Sequence, residues 1–288
     1  MKALLRKIAS ADAAMLAAIF SLTAIGLVMI YSASSPLAEE KFGDHAYFLK
    51  RHLLWLGMGG TVLLFCFLVK FRFFRMVGFP SLVAIGGMLL ATRFVGISAN
   101  HARRWISLAG FAFQPSEFAK PILIVYIATY LSKKSDRLKD FSSGLLPILC
   151  TVGSILMLIL AQPDFGTAMT MGVVFLLMLF VAGVPFRYFL ALGSVACMGG
   201  LYLMTAASYR KKRLLTFLNP WSDPQGSGFQ IIQSFIAFKR GGLQGQGLGD
   251  GTQKLLYLPE AHTDFIYSVI AEELGVLGSL VVILLFAL

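Results

Sequence analysis

The stretch that decides the fold is Gly144–Ala161, GLLPILCTVGSILMLILA, followed after one short break by Gly166–Val184, GTAMTMGVVFLLMLFVAGV. Neither run holds a charged side chain, and each approaches the length a helix needs to cross a hydrocarbon core ~30 Å thick. Working outward, six further apolar runs follow the same pattern: Asp12–Tyr31, Ala46–Val69, Met76–Gly96, Ser116–Leu131, Tyr188–Ala207 and Phe265–Leu288. Inside lipid no water satisfies backbone N–H and C=O groups, so continuous runs of this length read as helices. A membrane barrel would instead show segments of roughly ten alternating residues. The expected fold is therefore all-α: a polytopic membrane helix bundle of eight transmembrane helices, one domain over residues 1–288. Composition agrees, with 57% hydrophobic and 14% charged residues, where soluble domains carry about 25% charged. The first run is too long for a cleaved signal peptide, and further spans follow it. The chain stops at Leu288 still within an apolar run, which raises the expectation that a C-terminal part lies beyond it.

Lysine and arginine in short loops set the orientation. One set of helix ends holds Lys2, Arg6 and Lys7, then Lys70, Arg72 and Arg75, then Lys133, Lys134, Arg137 and Lys139, then Arg187. The opposite short loops hold fewer, and Ser32–His45 carries Glu39, Glu40 and Asp44 against Lys41 alone. The N-terminus is thus expected in the cytoplasm, with the segments near 97–115, 162–165 and 208–264 outside. The net charge of +11 is mostly this inside bias, not the footprint of a nucleic-acid-binding protein. The remainder sits in the long outer loop 208–264: Arg210, Lys211, Lys212, Arg213, Lys239, Arg240 and Lys254. Long loops translocate largely regardless of charge, so these cations read either as a solvated surface touching anionic lipid or as a site for a phosphate-bearing substrate.

That loop is too long for an ordinary connection and too apolar to be disordered. Ile231, Ile232, Phe235 and Ile236 recur at near-helical spacing, which suggests a short amphipathic helix at the membrane surface. Between Gly241 and Gly251 six glycines crowd together, a pattern of plain turns or of a backbone nest for an anion. Cys66, Cys150 and Cys197 all fall inside expected spans, so they read as small buried hydrophobes with no disulfide framework.

Ionisable groups inside spans are costly and mark function by default. In Gln114-Pro115-Ser116-Glu117-Phe118-Ala119-Lys120-Pro121, Glu117 and Lys120 are three apart, share a helix face and can pair. They read as a helix start favouring the dipole or as lining of a cavity. Pro121 should kink the helix there. The last span opens Leu258-Pro259-Glu260-Ala261-His262-Thr263-Asp264. From it Asp264, Ser268, Glu272, Gly275 and Ser279 form one polar or small stripe, which must face a partner helix or a wet cavity. Asp264 reads as a helix N-cap or a reactive carboxylate, and His262 as a loop histidine or a site residue. Asp164 reads first as the cap of the following span and second as a substrate contact. Arg103-Arg104-Trp105 reads as an interfacial aromatic with basic anchors or as a phosphate or sugar contact.

These residues carry a resemblance. Arg104-Trp105-Ile106, Gln114-Pro115-Ser116-Glu117 with Lys120, Pro163-Asp164-Phe165-Gly166-Thr167, Asn219-Pro220-Trp221, Asp223-Pro224 with Gly226-Ser227-Gly228, Gln233-Ser234, and Leu258 through Ile266 with Glu272-Glu273-Leu274-Gly275 stand in the order and spacing of one family. The chain resembles the SEDS (shape, elongation, division and sporulation) family of peptidoglycan glycosyltransferases from about Asp12 to Leu288. Asn219-Pro220-Trp221 and Glu260-Ala261-His262 look more like its cell-division branch than its rod-elongation branch. Family members typically have ten spans, so the last two are expected to be missing here.

The resemblance implies a multi-pass protein of the bacterial cytoplasmic membrane that polymerises lipid II on the outer face. A GlcNAc 4-hydroxyl would attack C1 of a MurNAc whose leaving group is undecaprenyl pyrophosphate, with inversion. The family's catalytic aspartate falls on Asp264, which would take the proton or hold a divalent cation, magnesium or manganese. Glu117, Lys120, Arg104, Trp105, Asp164, Arg213, Lys239, Arg240, Lys254, Glu260 and His262 are the implied substrate-binding set. Implied partners are lipid II and the growing glycan strand, a class B penicillin-binding transpeptidase and other division proteins, with no nucleic acid. Two rivals stay open, a lipid II flippase and a non-catalytic division scaffold. A solute transporter is weaker, since the sequence shows no pair of broken helices in matching halves.

Overall fold

A computed structural model describes residues 13–99, 102–108, 111–206, 208–255, 258–259 and 261–288. Glu260, one of the expected substrate contacts, lies outside them. Helices stand at all eight expected places: α1 (Ala13–Phe42), α2 (Tyr47–Leu68), α3 (Phe71–Val95), α4 (Pro115–Lys133), α5 (Leu146–Leu160), α6 (Phe165–Val181), α7 (Phe186–Ala206) and, after two helices of the long loop, α10 (Ile266–Ala287). The loop helices are α8 (Ser208–Leu218) and α9 (Phe229–Gly241). Among the described residues six helices are long and apolar enough to cross a membrane: α1, α2, α3, α7, α10, and α5 with the π-helical turn Phe141–Leu145 that precedes it. The other two differ in kind: α6 is apolar but shorter, and α4 carries Glu117, Lys120 and Lys133.

Three sequence expectations need correction. The fold is mostly helical but not all-α: a three-stranded antiparallel sheet, β1 (Ile97–Ala99), β2 (Ala102–Leu108) and β3 (Phe111–Phe113), fills the segment between α3 and α4. Along β2 the exposed Arg103, Trp105 and Ser107 alternate with the half-buried Arg104 and Ile106, the period of a strand. Second, α1 continues past Tyr31 and through Pro36 to Phe42. Proline costs a helix a hydrogen bond, but packing outweighs that here, since Ala33, Ser34 and Ala38 are all buried. Third, Cys66, Cys150 and Cys197 are exposed on their helices, so they stand on outward faces of apolar helices instead of in a core.

The chain divides into two compact units, one made of residues 1–68 and 207–288 and the other of residues 69–206. In the second unit α3 to α6 share a core built on helical spacing: Leu82, Ile85 and Leu89; Leu123, Ile127 and Leu131; Ile148, Val152, Ile155 and Ile159; Met171, Phe175 and Leu179. Each set recurs at three or four residues, so one face of each helix turns inward. The outward faces also carry large apolar side chains, among them Val83, Ile124, Met157 and Leu177. Between two faces that lipid would solvate alike, association rests on van der Waals fit and not on removal from water.

In the first unit α1 and α10 pack through Met29, Ala33, Val269, Ile270 and Val282, joined by Leu258 and Ala261 from the loop. Asp44 starts α2 by accepting from Ala46 N–H at 3.0 Å. Lys50, whose Nζ stands 2.8 Å from it, together with that N–H holds the Asp44 carboxyl below its ordinary range.

Candidate functional site

The feature that organises the first unit is a break in α10. Gly275 sits at φ 70°, ψ −169°, a conformation almost confined to glycine. An unbroken helix would join the carbonyls of residues 272 and 273 to the amides of 276 and 277. Instead the glycine-rich run crosses the helix at that level and replaces those bonds. Gln246 N–H donates to the Glu272 carbonyl at 2.9 Å and Gly247 N–H to that of Glu273 at 3.1 Å. Val276 N–H donates to the Gly242 carbonyl at 2.9 Å and Leu277 N–H to Leu243 at 3.2 Å. Backbone approaches this closely only without side chains: a Cβ on Gly245 would lie 2.5 Å from the Glu273 carbonyl carbon. Non-helical backbone at membrane depth survives only where protein satisfies it, and here the loop does so.

The same loop answers two buried carboxylates. Glu272 is 0% and Glu273 1% exposed, adjacent residues that aim into the crossing. Glu272 accepts from Thr252 N–H at 3.1 Å, Thr252 Oγ1 at 3.0 Å and Gln253 N–H at 3.0 Å. Arg240 stands 4.0 Å away and also donates to Thr252 Oγ1. Glu273 pairs with Lys254 Nζ at 2.7 Å and accepts from Ser32 Oγ at 2.7 Å and Gly249 N–H at 3.1 Å. Lys254 is 7% exposed, and its three N–H bonds go to Glu273, to Ser32 Oγ at 2.9 Å and to the Gly249 carbonyl at 2.5 Å. A buried pair is held well only when its remaining donors and acceptors are filled, and removing one partner alone typically costs about 3–5 kcal/mol. Of the glycine run only Gly249 N–H reaches a carboxylate, that of Glu273; the amides that hold Glu272 belong to Thr252 and Gln253, just beyond the run. Glu273 was the residue missed in the sequence; a second carboxylate beside Glu272 in an apolar run was its signal.

Asp264 stands apart from this saturation. It lies in the turn 261–265, exposed, one residue before Phe265, which occupies the cap position of α10. It is not the N-cap, and among the described residues it forms no hydrogen bond or ion pair. The rest of the stripe behaves as expected of groups facing a partner: Ser268, Glu272, Gly275 and Ser279 are all buried. His262 is half-buried with its ring 4.7 Å from that of Phe48. Arg213 on α8 and Lys239 in the last turn of α9 are exposed. Between those helices Asp223 accepts from Ser227 N–H and Oγ, each at 3.0 Å, and pairs with Lys212 at 3.2 Å. The Ser227 amide first, then Lys212, pull its pKa down to about 2.

The second unit holds the remaining expected residues. Lys120 and Glu117 pair at 2.8 Å on the surface of α4, and the helix runs unbroken past Pro121. Asp164 caps α6 through Thr167 N–H at 3.3 Å and also accepts from Gln114 Nε2 at 3.0 Å and Ser116 Oγ at 3.2 Å. Arg104 reaches the same turn, donating to the carbonyls of Gln162, at 3.1 Å, and Pro163. Arg104 and Asp164 are therefore committed to holding the start of α6 against β2 and α4, while Trp105 on β2 is exposed.

The family model described as "Cell cycle protein", covering FtsW, RodA and SpoVE, matches residues 13–288. The chain belongs to the FtsW/RodA/SpoVE family. A family member from Geobacter sulfurreducens, named "Probable peptidoglycan glycosyltransferase FtsW", is 47% identical over 268 residues, 92% of this chain and 72% of that one. The "Stage V sporulation protein E" of Bacillus subtilis is 42% identical over 268 residues, 92% of this chain and 73% of that one. A chain solved in "Structural coordination of polymerization and crosslinking by a peptidoglycan synthase complex" superposes with a TM-score of 0.71 at 27% identity, covering 96% of this chain and 75% of that chain. Family membership and the six long apolar helices make this a multi-pass membrane protein.

Proposed function

We propose that this chain is a peptidoglycan glycosyltransferase that polymerises lipid II at the outer face of the bacterial cytoplasmic membrane during cell division. All eight helices at the expected places then cross the bilayer, with the N-terminus in the cytoplasm. The observation that carries the reading is the contrast between carboxylates. Glu272 and Glu273 are buried and filled, whereas Asp264, in the turn before the same helix, is exposed and unengaged among the described residues.

An unengaged carboxylate at the membrane surface is where a lipid-anchored sugar would meet a base. Asp264 takes the proton of the GlcNAc 4-hydroxyl as that oxygen bonds to MurNAc C1; the bond from C1 to pyrophosphate breaks, and inversion leaves a β-linkage. The leaving group gathers negative charge, which Arg213, Lys239 and Arg240, exposed on α8 and α9, are able to offset. Among the described residues no three His, Cys, Asp or Glu side chains cluster as a metal cage. Magnesium needs none when one carboxylate and substrate phosphates ligate it, so the alternative to proton transfer is that Asp264 holds a divalent cation, magnesium or manganese. Bound there it would supply Lewis acidity. Substrate contacts of Glu117, Lys120, Trp105, Glu260 and His262 are part of the proposal; Lys254 in the first unit, and Arg104 and Asp164 in the second, are spent on holding their own unit.

Flipping of lipid II would need polar groups continuing inward, and the acids that follow Asp264 along α10 are sealed by the glycine crossing. That supports surface chemistry. The proposed partner is a class B penicillin-binding transpeptidase, with other division proteins around the pair. The test is to incubate the purified full-length protein with fluorescent lipid II, with and without that transpeptidase, and resolve the products by length. Glycan strands are expected. Transfer of lipid II between leaflets with no strand formed would contradict the reading.

A further inference from the structure

Lys254 and Glu273 lie on either side of Asp264 in the chain, and their side chains meet at 2.7 Å. The pair therefore closes the segment 254–273 at its base, with the turn 261–265 that carries Asp264 along its course. Ser32, from α1, ties the closure to a third element by bonding both partners. Glu272 grips the chain one step before Lys254 through the amides of Thr252 and Gln253. Every polar atom of the pair is spent inside the protein, which leaves neither side chain free for substrate.

We propose that Lys254 and Glu273 are positioning residues for glycosyl transfer: their buried pair, closed by Ser32, fixes the segment that presents Asp264. The proposal rests on the glycosyltransferase reading given above. In the turn Ala261 packs into the α1–α10 core and His262 lies against Phe48, while Asp264 itself is exposed, so its geometry depends on those contacts and on where the ends of the segment are held. Small displacements of a reacting group cost far more rate than they cost stability. A brace that serves only folding would respond differently, because a buried ion pair replaced as a unit by groups of similar size is often neutral for stability.

The test compares three full-length proteins: wild type, Asp264→Asn and the double variant Lys254→Met/Glu273→Gln. The glutamine keeps an acceptor for Ser32 and Gly249, and the methionine removes the charge that would otherwise be stranded. Each is measured for melting temperature, for kcat and KM with lipid II, and for hydrogen exchange of residues 258–265. The double variant is expected to melt within a few degrees of wild type, with kcat lowered about 10–100-fold, KM held within about threefold, and exchange in the turn accelerated. A folded double variant with wild-type kcat and exchange overturns the proposal, as does one whose KM rises while kcat is kept, since that marks Lys254 as a substrate contact. Failure of the underlying reading shows separately, as a wild type that makes no strand or an Asp264→Asn protein that polymerises normally. If the double variant is not recovered folded, Ser32→Ala tests the same closure: several-fold lower kcat with faster exchange supports it, and no change in either overturns it.

Discussion

Gly275→Ala is the substitution the first unit should tolerate least. The residue lies at φ 70°, ψ −169°, where a side chain costs about 1–3 kcal/mol in backbone strain alone. A Cβ there would also fall 2.5 Å from the Leu243 carbonyl oxygen and against Gly245 N. Both are backbone, so relief requires the crossing loop to withdraw. Withdrawal breaks at least two of the four bonds that bridge 242–247 to 272–277, at roughly 0.5–1.5 kcal/mol each. The total centres on about 4 kcal/mol, which at roughly 2–4 °C per kcal/mol for larger domains lowers the melting temperature by about 8–16 °C. Gly153→Ala is the control. It is in mid-helix with nothing within 4 Å of an added Cβ, so it should raise stability by up to about 1 kcal/mol. Melting of both variants in one detergent, followed by size-exclusion peak height, decides the matter. A Gly275→Ala protein melting within ~3 °C of wild type would refute the account of the break.

Other expectations follow from single contacts. In a background with Cys66, Cys150 and Cys197 replaced by Ala, a cysteine at Gln225 should react with an impermeant thiol reagent in intact spheroplasts and one at Ser135 should not; the reverse pattern overturns the orientation. Lys120→Ala breaks an exposed pair with Glu117 and should cost no more than about 1 kcal/mol, so a large loss of thermal stability would show that the pair is buried in the working protein. Asp223 has its folded pKa pulled below its unfolded value, to about 2, so what it contributes to stability is fully present above about pH 4 and lost as pH falls toward 2. Melting temperatures of wild type and Asp223→Asn should therefore run parallel from pH 7 to pH 5, and a divergence in that range would contradict the assignment.

The apolar spans were legible because lipid leaves the backbone only one open-chain solution, so length and apolarity were enough. Their ends were less legible. Pro36 should have closed α1 by local rule, and the burial of Ala33, Ser34 and Ala38 is a tertiary gain that no local rule contains. The sheet at 97–113 was readable in principle from the alternation along Arg103–Ser107, but the segment was read only as an outer connection. In the long loop the amphipathic helix was found from its period, while the glycine run, open between plain turns and an anion nest, serves mainly to bring backbone against the break in α10. Lys254, counted with the cations offered to substrate, turned out to be spent on Glu273, since its charge is visible in the sequence and its partner is not. Asp264 was marked by position, and the structure removes its plainest alternative by giving the cap position to Phe265.

The most direct test of the central claim is lipid II polymerisation by the full-length protein and its Asp264→Asn variant, with the transpeptidase added to both and melting temperatures taken on the same preparations. Asp264 is exposed and caps nothing, so the variant should melt within ~2 °C of wild type, because surface substitutions away from special features stay within about 0.5 kcal/mol. Loss of the carboxylate should lower strand formation by about 10²–10⁴-fold, the usual worth of a positioned base. A well-folded Asp264→Asn protein that builds strands at near wild-type rate would contradict the account and move the search for the catalytic group to Glu117.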